Sequence, residues 1–532
     1  MATSFSPPSS SHSSSSSPLP PPSHPPPPTS FSPPSSILII GSGVFGLSTA
    51  WALARRDVFS QCSITVVDRS GGNDDDVVFP ARDAASIDTS RIIRADYPDP
   101  AYAALAAEAQ VEWRKQSKPT DLGAQGRYNE SGLVLVADGV PPSPPTASSH
   151  QPPATPTAAI DKTKLTGMDY ARCSWANVLS LASSDPDLAQ HIRELPNPAA
   201  IAEAVATGGG SSGSWGYINQ GSGWADAAAS MAWLFDKVQQ TGRVTFVAGT
   251  VAALEHTGTV VTGAKLADGR VMSADLVVLA AGAWTGDLVD MSGRAIATGQ
   301  VLGYMDITED EQQQLSKMPV VLNLSTGLFV IPPANRVLKV ARHAYGYVNP
   351  TTLATAPLSS TTSYTASRPL TQASDPTLSI PAEGEEDIRR ALQEMVPLPS
   401  LRDCPFTKTR LCWYSDTATA DFLIDYHPEW QGLFVACGDS GHAFKFMPVI
   451  GDKIADCITR SCPPEFRGKW DWKQVSGDEA VITEDGSRGG MRGLVLADEL
   501  RKTKTSSLDD GYEGYESEES LNDLCGWRGD YR

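Results

Sequence analysis

The sequence predicts an α/β fold joined to an α+β part, and three observations support this fold class. A short apolar run at residues 37–40 has strand character and leads through a glycine-rich turn into an amphipathic helix. Strand and helix patterns then alternate as far as residue 465. The length of 532 residues exceeds what one hydrophobic core organises, so we expect at least two domains.

The first elements follow this pattern closely. Residues 62–70 predict a second strand, in which Asp68 comes at the end of the apolar run. Residues 99–115 predict the next clear helix. Asp99 suits its capping position and Pro100 suits its first turn.

Later elements alternate in the same way. A strand is predicted at residues 133–136, and residues 222–242 predict a helix that Gly242 ends. Further strands are predicted at residues 243–249, 260–272, 274–284, 326–333 and 336–347, the second of them a hairpin that turns at Asp268 and Gly269. Residues 432–458 predict a strand, a glycine-rich turn and a helix.

The two ends of the chain differ in composition from its centre. Ser and Pro occupy 27 of the first 36 residues, which leaves too few apolar side chains to form a core. Residues 478–532 carry 14 acidic and 7 basic side chains. We therefore predict disordered tails at residues 1–36 and 478–532, a loop insertion at residues 141–160 and a surface loop at residues 351–379.

Charge and targeting patterns exclude several classes of protein. The net charge of −19 argues against nucleic-acid binding. There is no run of about 18 apolar residues, no signal-peptide core and no peroxisomal tripeptide, so we expect a cytoplasmic protein without a membrane span. Eight cysteines without a C-x-x-C motif argue against a disulfide framework and against a metal site. Peroxisomal or nuclear import by another route stays open.

The glycine turn predicts a dinucleotide site. Gly41 permits the tight turn, Gly43 lets the backbone approach a pyrophosphate, and Gly46 lets the helix pack closely. Val44 opens the helix, whose N-terminal N–H groups favour phosphate. Asp68 follows Gly46 by 22 residues, where a carboxylate accepts a hydrogen bond from a ribose hydroxyl. An ordinary tight turn is the alternative.

Four stretches carry a family resemblance: "GSGVFG" at 41–46, "SIDTSRIIRADYPDPAY" at 86–102, "CWYSDTATADFLIDYHP" at 412–428 and "CGDSGHAFKFMPVIG" at 437–451. A fifth, "VLKVARH" at 337–343, is weaker. With these motifs the chain resembles the monomeric sarcosine oxidase family, which includes pipecolate and saccharopine oxidases and the fungal fructosyl amino acid oxidases (amadoriases). The resemblance spans residues 36–465 and covers neither tail.

The resemblance implies a discontinuous Rossmann-type FAD-binding domain built from residues 37–100, 210–300 and 405–465. A second, mixed-sheet substrate domain would take residues 101–209 and 301–404. It also implies FAD bound covalently through Cys412, because a thiolate adds to the electron-poor methyl carbon of the flavin ring. A buried structural cysteine is the alternative.

The resemblance further implies four catalytic residues. Arg94 and Lys445 would hold a substrate carboxylate, although Arg94 could instead form a structural salt bridge with Asp96 or Asp99. Lys339 would promote the reaction with oxygen, and the alternative is an exposed strand lysine. His343 would tune the amine or the ring, with a structural histidine as the alternative.

The turn at 438–442 is expected along the pyrimidine edge of the flavin. Here Asp439 and Ala443 depart from the family pattern. A carboxylate at 439 suggests a polar or cationic substrate portion, and we expect Asp439→Phe to spare flavin binding while shifting the preference among amines. Tyr414 is a candidate wall of the substrate cavity. The full set predicted to bind the cofactor is Gly41, Gly43, Val44, Gly46, Asp68, Arg91, Val251, Gly282, Cys412, Gly438, Asp439, Gly441, His442 and Lys445.

Together these features predict an FAD-dependent oxidase of the C–N bond of a secondary-amine amino acid of the sarcosine, pipecolate, saccharopine or fructosyl amino acid type. Hydride would pass to flavin N5, the imine would hydrolyse, and O2 would become hydrogen peroxide. The expected partners are a small amine substrate and O2, and we expect a monomer. One alternative is an oxidoreductase of a secondary-metabolite pathway that acts on a larger amine, and another is a non-catalytic flavoprotein.

Overall fold

The computed structural model describes residues 31–70, 78–139, 165–183, 186–206, 210–353, 358, 364–475 and 480–509. Most of the predicted N-terminal tail and the whole insertion at 141–160 lie outside these residues. From Pro33 onward the chain forms one compact unit. Its helices are α1 (Val44–Arg55), α2 (Pro100–Trp113), α3 (Gly167–Ala182), α4 (Pro186–Ala189), α5 (Pro198–Val205), α6 (Ala227–Gln240), α7 (Glu309–Leu315), α8 (Ala382–Met395), α9 (Met447–Ile458) and α10 (Leu496–Asp509).

A six-stranded sheet carries the glycine turn. Its strands are β1 (Ser36–Ile40), β2 (Ser63–Asp68), β9 (Val244–Ala248), β13 (Leu276–Leu279), β22 (Leu423–Tyr426) and β23 (Leu433–Cys437), in the order β22-β23-β13-β1-β2-β9. All neighbours are parallel except β22, which runs antiparallel to β23. The central strand β1 is buried from Ile37 to Ile40, as its continuous apolar run predicts for a strand covered on both faces.

A ten-stranded mixed sheet forms the second layer of the fold. Its strands are β5 (Leu133–Ala137), β6 (Ile192–Leu195), β7 (Trp215–Asn219), β14 (Ile296–Asp306), β15 (Val320–Asn323), β16 (Leu328–Ala334), β17 (Val337–Arg342), β18 (Tyr347–Val348), β21 (Lys408–Asp416) and β24 (Leu494–Val495). The long strand β14 pairs with β21 on one side and with β17 on the other. It therefore sets Cys412 opposite Gln300 and Lys339 opposite Tyr304.

Three small sheets complete the described strands. They are β10 (Val251–Thr257) with β11 (Val260–Leu266) and β12 (Val271–Ser273); β3 (Arg91–Ile93) with β4 (Tyr128–Asn129) and β8 (Gly223–Ala225); and β19 (Pro350–Leu353) with β20 (Tyr364–Ser367). Apart from Pro350, the last pair lies inside the segment 351–379, which we predicted as a surface loop. The predicted hairpin turn is confirmed, since Gly269 between β11 and β12 has φ +90°.

The predicted start of α2 is also confirmed. Asp99 is its N-cap and accepts a hydrogen bond from the backbone N–H of Ala101 at 2.8 Å, while Pro100 occupies the first turn. The α/β class of the fold is likewise confirmed. Among the described helices, none has both the length and the apolar character needed to cross a bilayer.

The prediction of a disordered tail from residue 478 is wrong for residues 480–503, whose side chains the structure describes. Thr483 Oγ1 donates to the carbonyl of Thr417 at 2.8 Å, and strand β24 pairs with β18. Arg488 is 5% exposed. The acidic composition is an average over the whole tail, so it does not reveal a short segment whose buried side chains pack against the rest of the fold. We call residues 483–495 the C-terminal strap.

Two strands also depart from the predicted domain segments. β7 and β21 fall in segments that the sequence assigned to the FAD-binding domain, yet both pair within the ten-stranded sheet. An alternating apolar pattern identifies a strand without identifying its partner, so the sequence could not show that β21 pairs along its whole length with β14.

Candidate active site

A cavity of about 760 Å³ opens at the glycine turn and extends to the ten-stranded sheet. At one end it is lined by the turn and by Asp68, and at the other end by Arg91, Trp413 and Tyr414. Nine residues of the predicted cofactor set line it: Gly41, Gly43, Val44, Asp68, Arg91, Val251, Gly282, Asp439 and Gly441. The remaining five, Gly46, Cys412, Gly438, His442 and Lys445, lie behind or beside this lining.

The three glycines of the turn meet different surroundings. A Cβ on Gly41 would lie 2.3 Å from the carbonyl oxygen of Ala280, and its φ is +102°. A Cβ on Gly46 would lie 1.9 Å from the carbonyl oxygen of Gly41, so α1 packs directly on the turn. At Gly43 a Cβ would meet no atom within 4 Å, because that position faces the open cavity. The turn therefore leaves room for a bound group at the N-terminus of α1, as a pyrophosphate requires.

Asp68 holds the turn and borders the cavity at the same time. Its Oδ2 accepts hydrogen bonds from the backbone N–H and the hydroxyl of Ser42, both at 2.7 Å. The open space at Gly43, the carboxylate of Asp68 and the cavity volume of about 760 Å³ fit a dinucleotide. The fit extends to FAD, since the far end offers a guanidinium and two aromatic residues to a ring system.

Cys412 is 1% exposed and lies on β21. Residues two apart on a strand share a face, so Cys412 points to the same side as Tyr414, which lines the cavity. Arg91 also lines the cavity, and its Nη2 donates to Cys412 Sγ at 3.4 Å.

Lys339 belongs to a buried ion pair that the sequence did not predict. Its Nζ donates to Asp88 Oδ2 at 2.6 Å and to the carbonyl of Ser90 at 2.8 Å, and both side chains are almost fully buried. Arg91 also pairs with Asp88, and the Tyr304 hydroxyl donates to the other carboxylate oxygen of Asp88, Oδ1, at 2.6 Å. The alternative of an exposed strand lysine at 339 is therefore wrong.

The protonation of this pair follows from its surroundings. Burial raises the pKa of Asp88, but Lys339 and Arg91 overcome that effect and hold it well below its usual range. Burial lowers the pKa of Lys339 to about 8, although Asp88 opposes the shift. Lys339 is consequently charged at neutral pH, next to a guanidinium that lines the cavity.

A second group of side chains, which we call the basic cluster, consists of Arg94, His343, His442, Lys445 and Arg488. Lys445 is 5% exposed, and its Nζ donates to Tyr97 Oη at 2.9 Å and to the carbonyl of His442 at 2.8 Å. Tyr97 Oη also lies 2.9 Å from His442 Nδ1. Burial and the charge of Arg94 lower the pKa of Lys445 well below its usual range.

Arg94 has an unsatisfied donor. Its Nη2 donates to Tyr170 Oη at 3.0 Å, whereas its buried Nη1 has no hydrogen-bond partner among the residues that the structure describes. Asp96 instead accepts from Tyr217 at 2.9 Å and from neighbouring polar groups, and Asp99 pairs with Lys469. The alternative of a structural salt bridge from Arg94 to Asp96 or Asp99 is therefore wrong.

Arg488, like Asp88, is a residue of the site that sequence reasoning missed. Its Nη2 donates to Asp416 Oδ1 at 2.5 Å and to the carbonyl of Ser440 at 2.9 Å, and its Nη1 lies 3.2 Å from His343 Nδ1. A guanidinium can only donate, so Nδ1 of His343 is the acceptor and the ring proton sits on Nε2. Burial and the charge of Arg488 also lower the pKa of His343 well below its usual range. The only sequence signal is an arginine among glycines in an acidic stretch.

The turn at 438–442 closes around Tyr414. A Cβ on Gly441 would lie 2.2 Å from the Tyr414 ring, and φ is +68° at this glycine. The carboxylate of Asp439 accepts from the backbone N–H groups of Gly441 at 3.0 Å and Ser415 at 3.2 Å. Burial raises the pKa of Asp439 to about 6. This carboxylate thus fixes the turn as well as bordering the cavity.

Comparisons with known proteins agree with this geometry. Residues 36–457 match the family model described as FAD dependent oxidoreductase. The chain is 34% identical over 476 residues to amino acid oxidase imqH of Aspergillus flavus, covering 80% of this chain and 93% of that protein. It is 29% identical over 451 residues to L-saccharopine oxidase of Schizosaccharomyces pombe, covering 82% and 93%.

A solved structure shows the same architecture. The deglycating enzyme fructosamine oxidase (Amadoriase II) of Aspergillus fumigatus superimposes with a TM-score of 0.66 at 26% identity, covering 87% of this chain and 95% of that one. The chain therefore belongs to the FAD-dependent oxidoreductase family, among the amine and amino acid oxidases that act on CH–NH groups.

Proposed function

We propose that the protein oxidises the C–N bond of a secondary-amine amino acid of the sarcosine, pipecolate, saccharopine or fructosyl amino acid type. The observation that carries this proposal is the buried, unpartnered Nη1 of Arg94 beside Lys445. We interpret the six-stranded sheet and its cavity as the FAD-binding domain, and the ten-stranded sheet as the floor of the substrate domain.

A substrate carboxylate would complete this arrangement. Within the described residues, neither Arg94 nor Lys445 forms an ion pair, although both are more than nine-tenths buried. Burying a charge without a counter-charge is costly. A carboxylate would accept from Arg94 Nη1 and from Lys445 and would restore the charged form of the lysine. It would thereby fix the orientation of the amino acid.

FAD, when bound, would supply the redox chemistry, which is acceptance of a hydride from the substrate carbon and reduction of O2 to hydrogen peroxide, and the imine product would hydrolyse. Cys412 is the residue that would attach FAD covalently, assisted by Arg91. Lys339 would provide the positive charge that stabilises reduced oxygen species, because negative charge develops there. His343 stays neutral beside Arg488 and so does not compete with the substrate amine for a proton.

A larger amine remains the second candidate substrate. The likeness to fructosamine oxidase, which is named as a deglycating enzyme, supports the fructosyl amino acid type instead. A secondary-metabolite pathway would supply such an amine as readily as primary metabolism.

Peroxide formation tests the proposal directly. Purified protein is offered sarcosine, pipecolate, saccharopine and fructosyl-lysine, and we expect peroxide with at least one of them. Arg94→Met should abolish the signal without releasing flavin. If flavin-loaded protein yields no peroxide with any of the four compounds or with larger N-substituted amino acids, the proposal fails.

The covalent link has its own test. Mass spectrometry of denatured wild-type protein should show the added mass of one FAD, and Cys412→Ala should lack it. Cys437→Ala is a matched control, because Cys437 is also buried and directly precedes the turn at 438–442. Loss of the added mass in the Cys437 variant alone would contradict the assignment to Cys412.

A further inference from the structure

The C-terminal strap lies between two elements that hold the basic cluster. On one side Gly486 packs on the N-terminus of α3, since a Cβ on this glycine would lie 2.7 Å from the carbonyl oxygen of Thr166. Helix α3 also carries the tyrosine that binds Arg94. On the other side Arg488 donates to the carbonyl of Ser440 at 2.9 Å, in the glycine-rich turn before α9. The strap thus crosses the basic cluster from α3 to this turn.

The large cavity stops short of the cations that the strap crosses. Tyr414 and Gly441 are among the residues that line this cavity, whereas Arg94 and Lys445 are not. Both cations are more than nine-tenths buried. A carboxylate that binds them therefore needs a path that the closed arrangement does not offer, and this requirement rests on the proposed function.

The strap is held by polar contacts and buries little apolar surface. Between residues 483 and 493, all of which the structure describes, the buried side chains are those of Thr483, Asp485, Ser487 and Arg488. Met491, the large apolar residue of this stretch, is 58% exposed. Burial of apolar side chains is the main force that holds a segment in place. The strap is therefore expected to open more readily than the elements beneath it.

The contacts that hold the strap can be exchanged for contacts with water. The backbone N–H of Tyr345 donates to the carbonyl of Gly489 at 3.2 Å, and both groups would be hydrated in an open strap. The buried ion pair between Arg488 and Asp416 would also open. Because both ions would regain their hydration, much of the lost attraction would be offset.

We propose that the C-terminal strap is the gate of the substrate site. It opens locally, while the rest of the fold stays closed, and admits a carboxylate-bearing amine to Arg94 and Lys445. Closing brings Arg488 back to 3.2 Å from His343 Nδ1, so the site is complete only while the substrate is enclosed.

Labelling of a thiol placed under the strap measures its opening without any ligand. Ala344 is 1% exposed, forms an isolated bridge with Gly489, and has its Cβ 3.4 Å from the position of a Cβ on Gly490. Holoenzyme of Ala344→Cys is treated with a maleimide, and peptide mass spectrometry locates the label. Position 344 should react faster than the native Cys437 by on the order of tenfold or more, because Cys437 is fully buried and reacts only when the core opens.

Each labelling rate is divided by the rate of the same thiol in denaturant, so that only protection by the fold is compared. Equal protection of position 344 and Cys437 would show that global unfolding alone exposes the thiol. That result would overturn the gate.

A variant that loosens the strap should speed the labelling. Arg492 forms an exposed ion pair with Glu484 and donates to Tyr345 Oη at 2.9 Å. Adding Arg492→Ala to Ala344→Cys should raise the rate at position 344 roughly two- to fivefold, the weight of one exposed ion pair. Arg501→Ala is the matched control, since Arg501 forms an exposed ion pair within α10, outside the strap. No difference between the two variants would overturn the proposal.

A reversible lock tests whether the substrate uses this gate. The separation of 3.4 Å between the Cβ positions at 344 and 490 is close to the about 3.5–4.5 Å of a disulfide. Ala344→Cys combined with Gly490→Cys should therefore join the strap to the strand end beneath it. In the oxidised double variant, an amine that the wild type oxidises should reduce the flavin more slowly by on the order of tenfold or more. Dithiothreitol should restore the rate.

The reduced double variant is the control for backbone strain at Gly490, whose φ is +80°. Undiminished flavin reduction in the locked protein would overturn the statement that substrate enters past the strap. If the wild type turns over no amine, the proposed function fails, while the labelling ratio still decides whether the strap opens locally.

Discussion

Replacing Asp88 by Asn should move the pH dependence of the reaction with oxygen. Asp88 and Lys339 are 2.6 Å apart and their side chains are 1% and 2% exposed. At an effective dielectric of about 20, this separation corresponds to roughly 6 kcal/mol of attraction. If about a third of that is realised, the pKa of Lys339 falls by roughly 1.5 units when the carboxylate is lost, since one unit is about 1.36 kcal/mol.

The sign of the effect follows from the protonation of Lys339. Its pKa of about 8 leaves it charged at neutral pH, and Asp88 opposes the effect of burial. Without Asp88 the pKa would lie below neutrality, and Arg91 would repel the ammonium further. We therefore expect Asp88→Asn to react slowly with O2 at neutral pH and to recover as the pH is lowered, whereas the wild type slows only as the pH rises through about 8.

Stopped-flow reoxidation of the reduced enzyme over a range of pH measures this shift. Tyr304→Phe is the matched control, because it removes a neutral hydrogen bond from the same carboxylate and keeps the ion pair. Lys339→Met should be slow at every pH. Breaking a buried pair costs about 3–5 kcal/mol of stability, so the variants are first checked by thermal unfolding. An unchanged pH midpoint in folded Asp88→Asn would refute the assignment of the charge to Lys339.

Three further variants address the rest of the site. Arg94→Lys keeps the positive charge but loses the planar pair of N–H donors. For amines that carry a carboxylate, kcat/KM should fall about thirtyfold, which corresponds to on the order of 2 kcal/mol, and an amine without the carboxylate should show no such loss. Arg488→Met should let the pKa of His343 rise, so that the rate of flavin reduction falls at a higher pH on the acid side than in the wild type. Asp439→Phe should retain flavin and change the order of preferred amines, and an unchanged order would reduce Asp439 to its turn-holding role.

Local patterns in the sequence predicted local structure well. The apolar run, the glycines and the cap at Asp99 each act within a few residues, so β1, α1 and α2 could be placed from the sequence alone. The resemblance also selected Arg94 and Lys445, which lie on different elements that both contact Tyr97.

Long-range pairing was not accessible in the same way. Asp88 precedes Lys339 by 251 residues, and Arg488 follows Asp416 by 72. Asp88, Asp416 and Arg488 look like ordinary surface charges in the sequence. The pairing of β14 with β17 sets Lys339 opposite Tyr304, which donates to Asp88, and the course of the C-terminal strap brings Arg488 to Asp416. The tail prediction failed for the same reason, because composition describes a segment and not its anchors.

The buried basic side chains of the site differ in whether a carboxylate of the protein pairs with them. Lys339 has Asp88 and Arg488 has Asp416, each at hydrogen-bond distance and each buried. Arg94 and Lys445 are buried as deeply, yet their described partners are the neutral hydroxyls of Tyr170 and Tyr97 and a backbone carbonyl. Arg342 is likewise buried and paired with Glu383, so on the proposed function the counter-charge for Arg94 and Lys445 would come from something that enters and leaves. An anionic substrate would satisfy that requirement. Because the pKa of Lys445 is depressed in the free protein, we expect binding of a carboxylate to be accompanied by uptake of a proton. Calorimetry in buffers of different ionisation enthalpy measures this uptake. Proton uptake that persists in Lys445→Met would show that the proton goes elsewhere and that the charge assignment is incorrect.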